Sequence, residues 1–161
     1  MGRFAGWLVA AAVAGMTMSG AATAQHAKAA PLKRAAEKIA GELSWRASTV
    51  LEGDFNCTGK VQYAILGTSP KEIAVAIFNE DLAQPPAMLR FEGMARDGLV
   101  SKIRLDDYTM TAAEIADVSG TEPVGYQPSA ACYGVRLSDD SSSAAHIYWD
   151  HVNQRFDSWT Q

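Results

Sequence analysis

Cysteine is nearly absent from this chain, and that scarcity narrows its chemistry. Only Cys57 and Cys132 occur among the 161 residues. A cysteine-rich zinc site needs more thiols, and the wide spacing excludes a C-x-x-C redox pair. A basic excess is missing as well: 14 Lys and Arg face 18 Asp and Glu, a net charge of −4. A mildly acidic domain gains nothing from a phosphate backbone, which argues against nucleic acid as a partner. No G-x-S-x-G elbow occurs, and "DSSSAAH" reads as a polar loop rather than a strand-to-helix turn. No internal repeat is visible, and no linker separates two domains. Beyond Gln25, no apolar run approaches the roughly 20 residues that span a bilayer.

What is present begins with "MGRFAGWLVAAAVAGMTMSGAATAQ". Arg3 gives a positive start, an apolar run follows from Phe4 to Met18, and Ala22-Thr23-Ala24 supplies an A-x-A cleavage pattern. The run is too short to span a membrane, so residues 1–24 read as a secretory signal peptide cut after Ala24. A second cut option lies near Ala27 to Ala29. The expected product is exported, periplasmic or secreted, with no membrane attachment after cleavage. Its length of about 137 residues suits one domain with a real core, and its charge becomes about −5. In an oxidising compartment, Cys57 and Cys132 read as one disulfide closing a loop of about 75 residues. The alternative is two buried free thiols.

Residues 25–30 read as a mobile lead-in of small residues, and residues 31–161 as a single α+β domain. Pro31 suits the first turn of a helix over "PLKRAAEKIAGELSW". Leu32, Ala36, Ile39 and Leu43 predict one apolar stripe, with Lys33, Arg34, Glu37, Lys38 and Glu42 mostly off it, an amphipathic pattern. "VQYAIL" and "EIAVAIF" are strand-like runs joined by the turn "GTSP", which predicts an antiparallel hairpin. The second run is apolar on both faces, as in a central strand covered by the helix. "AMLRFE", "LVSKIRLDD" and "CYGVRLSD" read as further strands. "TAAEIADV" fits either a short helix or an irregular strand. "AHIYWDHVNQRFDSWT" reads as a hairpin turning near "HVNQ". The fold class is α+β: an N-terminal amphipathic helix packed on a largely antiparallel β-sheet, with one disulfide.

One stretch, "GDFNCTGKVQYAIL", has the spacing of a calcium loop. Counting from Asp54, oxygen-bearing residues Asn56, Thr58 and Gln62 fall at positions 3, 5 and 9, Gly59 at 6, and Lys60 at the backbone-carbonyl position 7. The charge count opposes binding. Only Asp54 is anionic, Ile65 stands where a bidentate Glu belongs, and Lys60 adds a positive charge. The stretch resembles the D-x-D-G-x-x-D loop and following strand of FG-GAP and VCBS-type repeats, extracellular units whose acidic loop holds calcium. The resemblance covers about 14 residues and one unit only, so a propeller of several blades is excluded. The whole mature chain is similar to a group of small secreted bacterial proteins that combine one such loop with a tail of the form C-x-G-x-x-L…H-x-Y-W…W. That resemblance implies a shared fold and export, and no activity. The competing reading is a β-turn in which Asp54 and Asn56 bond backbone amides, fixed by Cys57.

His146, Tyr148 and Asp150 fall at i, i+2 and i+4 on an expected strand, with His151 at the turn. Together they could bind zinc or act in acid–base chemistry, against a plainer reading as a solvated polar face. Asp106–Asp107 and Asp139–Asp140 are adjacent in sequence and point to opposite faces of a strand, so they make poor catalytic pairs. Tyr126, Tyr133, Tyr148, Trp149 and Trp159 form a late aromatic group that could fill the core or stack on a protein or glycan. No catalytic signature appears. The leading expectation is therefore a non-enzymatic binding module, with "SDDSSSA" a candidate contact loop and Tyr148, Trp149, Trp159, His146 and Asp150 a candidate surface. The alternatives are a small hydrolase or metal enzyme using His146, Asp150 and His151, and a calcium-stabilised structural domain. The carboxylate count predicts a calcium affinity weaker than about 10⁻³ M. Linkage then limits stabilisation by roughly 1 mM calcium to about 0.4 kcal/mol. Thermal melts in calcium and in chelator measure this, and a large upward shift would refute the charge argument.

Overall fold

The computed structural model describes residues 20–92, 103–110, 114–115, 123–139 and 144–160. The expected turn "ARDG", most of "TAAEIADV" and most of "DSSSA" lie outside them, as do residues 1–19 of the expected signal segment. The described elements are α1 (Gly20–Ile39), β1 (Ser44–Gly53), β2 (Gln62–Thr68), β3 (Glu72–Asn79), β4 (Ala87–Glu92), β5 (Arg104–Tyr108), β6 (Gly134–Ser138), β7 (Ala144–Asp150) and β8 (Arg155–Thr160). Two four-stranded antiparallel sheets result, in the orders β1-β2-β3-β4 and β5-β6-β7-β8.

The uncharged run of β2 and β3 dictates the layering. Alternate residues of a strand face opposite ways, and here both sides are apolar. Ala64, Leu66, Ile73, Val75 and Ile77 pack against Ile103, Leu105, Val135, Leu137, Ala145 and Ile147 of the second sheet. Their neighbours Tyr63, Ile65, Ala74, Ala76 and Phe78 pack against Leu32, Ala36 and Ala40 of α1 and its turn. The first sheet is thus a middle layer. A single sheet under a helix was expected, and the second sheet corrects this. One helix covers only one face of β2–β3, so the other apolar face requires its own cover.

Helix α1 also differs from expectation. It includes residues 25–30 and the expected cut after Ala24, and Pro31 is interior rather than at the first turn. Alanine is the strongest helix former, and the alanines around Pro31 offset its lost amide. The buried positions are Leu32, Ala36 and Ala40, whereas Ile39 is 52% exposed. The helix closes with the Ala40 amide donating to Ala36 O at 2.9 Å, and a turn then brings Leu43 back into the core. Trp45 seals this corner by donating its indole N–H to Ala40 O at 2.9 Å.

No strand period is visible over Ser44–Gly53, and a bulge explains why. Arg46 pairs with Leu66 but Leu51 with Ala64, so the register shifts between them. Thr49 Oγ1 fills the gap, donating to Arg46 O at 2.7 Å and accepting from the Leu66 amide at 3.1 Å. Arg46 Nη1 reaches Ile103 O at 3.1 Å, which ties the edge of one sheet to the other.

The expected disulfide is present. Cys57 and Cys132 are bonded, with Cα atoms 5.1 Å apart and a sequence separation of 75. It joins a loop of the first sheet to the entry of the second. Closing a loop of that length restricts the unfolded chain strongly. Replacing both cysteines by alanine is expected to lower the unfolding free energy by about 2–5 kcal/mol. Denaturant curves of the variant, and of the wild type with reductant, check this.

Candidate functional site

Antiparallel connectivity gathers four connections at one end of the sandwich. The β1–β2, β3–β4, β5–β6 and β7–β8 links all lie there, because each of those pairs turns at the same end. This loop end is the candidate site.

The β1–β2 loop is built around Asp54. Its Oδ1 accepts from the Thr58 amide at 3.0 Å and its Oδ2 from the Gly59 amide at 2.7 Å. Thr58 Oγ1 donates to Asn56 Oδ1 at 2.6 Å. Cys57 and Gly59 hold left-handed backbone, with φ of 59° and 74°. Gly59 takes that conformation freely, and the disulfide holds Cys57 in it. Gln62 is buried beneath the loop. Its Oε1 accepts from the Phe55 amide at 3.2 Å, and its Nε2 donates to Asn79 Oδ1 at 3.3 Å. The five calcium-loop positions therefore have separate tasks. Asp54 folds the loop, Gln62 supports it, and Asn56, Thr58 and Lys60 line a groove. Among the described residues, no group of three or more His, Cys, Asp or Glu is placed to hold a metal ion.

Phe55 is the residue that sequence reasoning missed. It is fully buried and belongs to the core between the sheets. A large ring flanked by turn-forming Asp54 and Asn56 was the available signal. It anchors the loop from below while the disulfide holds it from the side. A further bond, from the Tyr133 amide to Asp54 O at 3.2 Å, joins it to the second sheet.

Next to this loop lies an open groove of roughly 650 Å³, lined by Asn56, Thr58, Lys60, Asn79, Glu80 and Asp81 among others. Its far wall is the β3–β4 loop, where Asp81 Oδ1 accepts from the Ala83 amide at 3.1 Å. On the other side of Cys57, a cleft of about 20 Å³ is bordered by the disulfide, Tyr126, Tyr133, Tyr148 and Trp149. That is room for one water. Three exposed apolar side chains, Val124, Tyr133 and Val152, lie at this end.

The late cluster is placed differently from the solvated face considered for it. His146, Tyr148 and Asp150 do share one face of β7, but all three are buried. Met110, Ile115, Tyr108, Tyr126 and Trp159 cover that face. His146 sits between the rings of Tyr108 and Trp159, at centroid distances of 5.2 and 5.6 Å. Burial pushes its pKa down, countered by the Glu114 carboxylate and reinforced by Arg136. Trp149 stacks edge-on with Phe156 at 5.0 Å, so it belongs to packing. His151 lies at the turn, apart from His146.

Asp150 is a turn-builder. Its Oδ1 accepts from the Val152 and Asn153 amides at 2.8 and 3.0 Å, and its Oδ2 from the Asn153 side chain at 2.6 Å. The Asn153 contacts, first from its side chain, hold this carboxyl below the usual range. Both groups are thus buried within the fold, and His151 alone of the three residues in the hydrolase alternative is partly exposed. Asp106 forms an ion pair with Arg136, 3.6 Å apart. Asp139 is half-buried beyond β6, and Asp140 and Ser141 to Ser143 of "SDDSSSA" lie outside the described residues.

No family model, curated protein or solved structure matches this chain. Among the described residues, no helix is long and apolar enough to cross a membrane.

Gly125 joins this turn to the strap of residues 123–134. Its φ is +72°, and an added Cβ would lie 1.8 Å from Asp150 Oδ1. Its carbonyl accepts from the His151 amide at 2.9 Å. Gly125→Ala is expected to lower stability by about 1–3 kcal/mol through backbone strain, and more if the clash is not relieved. The lowered Asp150 pKa gives a stabilisation that is complete above the ordinary carboxylate value. It is lost as pH falls below about 4 and through the folded value. Denaturation of wild type and Asp150→Asn across that range measures it, and the variant should show a flatter acid limb.

Proposed function

We propose that the protein is an exported, non-catalytic binding domain that holds a polypeptide partner at the loop end. The observation that carries this reading is the coincidence there of a firmly held loop, an open polar groove and exposed apolar side chains. The β1–β2 loop is fixed by Phe55, by Asp54 and by the disulfide. A pre-ordered loop loses little entropy on binding. The groove offers amide and hydroxyl groups from Asn56, Thr58, Asn79 and Gln84, with charges on Lys60, Glu80 and Asp81. Among the described residues no aromatic ring lines it, so they offer no stacking surface for a sugar there. Amides, hydroxyls and a few charges beside Val124, Tyr133 and Val152 suit a protein surface better.

Export is supported by the A-x-A pattern after the first apolar run and by the disulfide, which persists in oxidising compartments. The calcium-loop spacing reads, in this proposal, as a turn that keeps its shape through backbone amides.

A photo-crosslinking residue at Val152 is expected to capture one discrete partner in the native host. The same residue at Lys71, in the β2–β3 turn at the opposite end, should capture none. Adding Glu80→Lys and Lys60→Glu should abolish capture without changing the melting temperature. Equal capture from both ends, or capture indifferent to the charge reversal, would refute the assignment.

A further inference from the structure

His146 is buried to 3% exposure, and neither ring nitrogen has a hydrogen-bond partner. A polar group in that state is costly, because burial removes its water without replacement. Its surroundings decide what a proton would do. Arg136 lies opposite on β6, and Trp159 opposite on β8. From β5, Tyr108 presents its ring, over which the Arg136 guanidinium sits at 4.4 Å. Arg136 Nε is buried and unpartnered, while Nη2 pairs with Asp106. Glu114 accepts from the Tyr108 hydroxyl. Tyr126 and Tyr148 meet edge to face at 5.8 Å nearby. Asp157 of β8 and Asp150 act on Tyr148, and Asp150 is already committed to the turn amides.

We propose that His146 is an acid-sensitive switch: its protonation loosens the outer-face cluster of Tyr108, Met110, Ile115, Tyr126, Tyr148 and Trp159. An imidazolium there would carry two N–H donors with no hydrogen-bond partner among the described residues, beside the Arg136 charge. Among the described residues, the Glu114 carboxylate is the attractive charge acting on His146, and it accepts from the Tyr108 hydroxyl. Letting the cluster open admits water to both ring nitrogens and relieves the strain. The strap of residues 123–134 is tied to this face by the Tyr148 hydroxyl on Val124 O at 3.2 Å and by the His151 amide on Gly125 O. Loosening the cluster therefore frees the Val124 side of the loop end. The disulfide still retains Cys132, and the first sheet, which packs against the other face, stays closed. The switch depends on the cluster's own contacts and not on what the loop end binds.

The sign follows from linkage. The closed state prefers neutral imidazole, so the open state binds the proton first. Below about pH 6.5 the open fraction should rise by up to about tenfold per pH unit, until the closed-state value is passed. Amide hydrogen exchange between about pH 7.5 and 5, corrected for intrinsic rates, reads this directly. Residues 123–134 and β8 should lose protection on acidification, while β2 and β3 keep theirs. His146→Phe should abolish the pH-dependent part. Persistence of that part in the variant, or equal loss of protection in β2 and β3, would overturn the switch. If the variant does not fold, the His146 ring is followed by NMR in the wild type. Its protonation should coincide with the exchange step, and protonation near the ordinary imidazole value with the strap still protected would also overturn it.

Discussion

The double-sided burial of β2 and β3 is the constraint on which the rest depends. Strands whose only charge between Gln62 and Phe78 is Glu72, at the start of β3, cannot leave either face in water. The helix satisfies one face and the second sheet the other. Once that order of layers is fixed, the ends of the strands are fixed too, and with them the position of every loop. The two sheets are then held at one edge by Arg46 on Ile103 and at one end by the disulfide. Such a frame carries the loop end on the core, to which that end contributes Phe55.

Much of this was legible in the chain. The β2–β3 hairpin, the strand at "AMLRFE" and the hairpin turning at "HVNQ" are strongly periodic or clearly punctuated, and their register follows. The disulfide followed from cysteine count and expected compartment. The second sheet was not legible, because alternation reports that a face is buried and not which element buries it. The bulge in β1 hid that strand, since the four residues between Arg46 and Leu51 face only Ile65 on its partner. Ile39 and Ala40 exchanged roles because a 4-residue step, rather than the mixed 3 and 4 step, follows the contact line of α1.

At the candidate site, the sequence singled out the Asp54 loop and left its use open. The spacing around Asp54 allowed an ion or a turn, and only the amide contacts distinguish what the carboxylate does. The i, i+2, i+4 pattern of His146, Tyr148 and Asp150 correctly implied a common face. Whether that face meets water depends on Met110, Ile115 and Tyr126, which are 20 or more positions away and carry no local signal. Polar residues on a strand face are usually read as wet. Here the polar tips find partners in a turn or, for His146, none at all.

The disulfide also sets an order of events as the chain is made. The first sheet is contiguous, from Ser44 to Glu92, so its strands can pair as soon as that stretch emerges. Cys57 must then wait for a partner that arrives 75 residues later. A first sheet that formed alone in that interval would leave Leu66, Val75 and Ile77 without the second sheet that covers them and Cys57 without its partner. Long-range contacts are slow to form, and species of this kind are the ones prone to aggregate. The yield of native protein is thus governed less by the finished core than by how quickly the second half reaches the first.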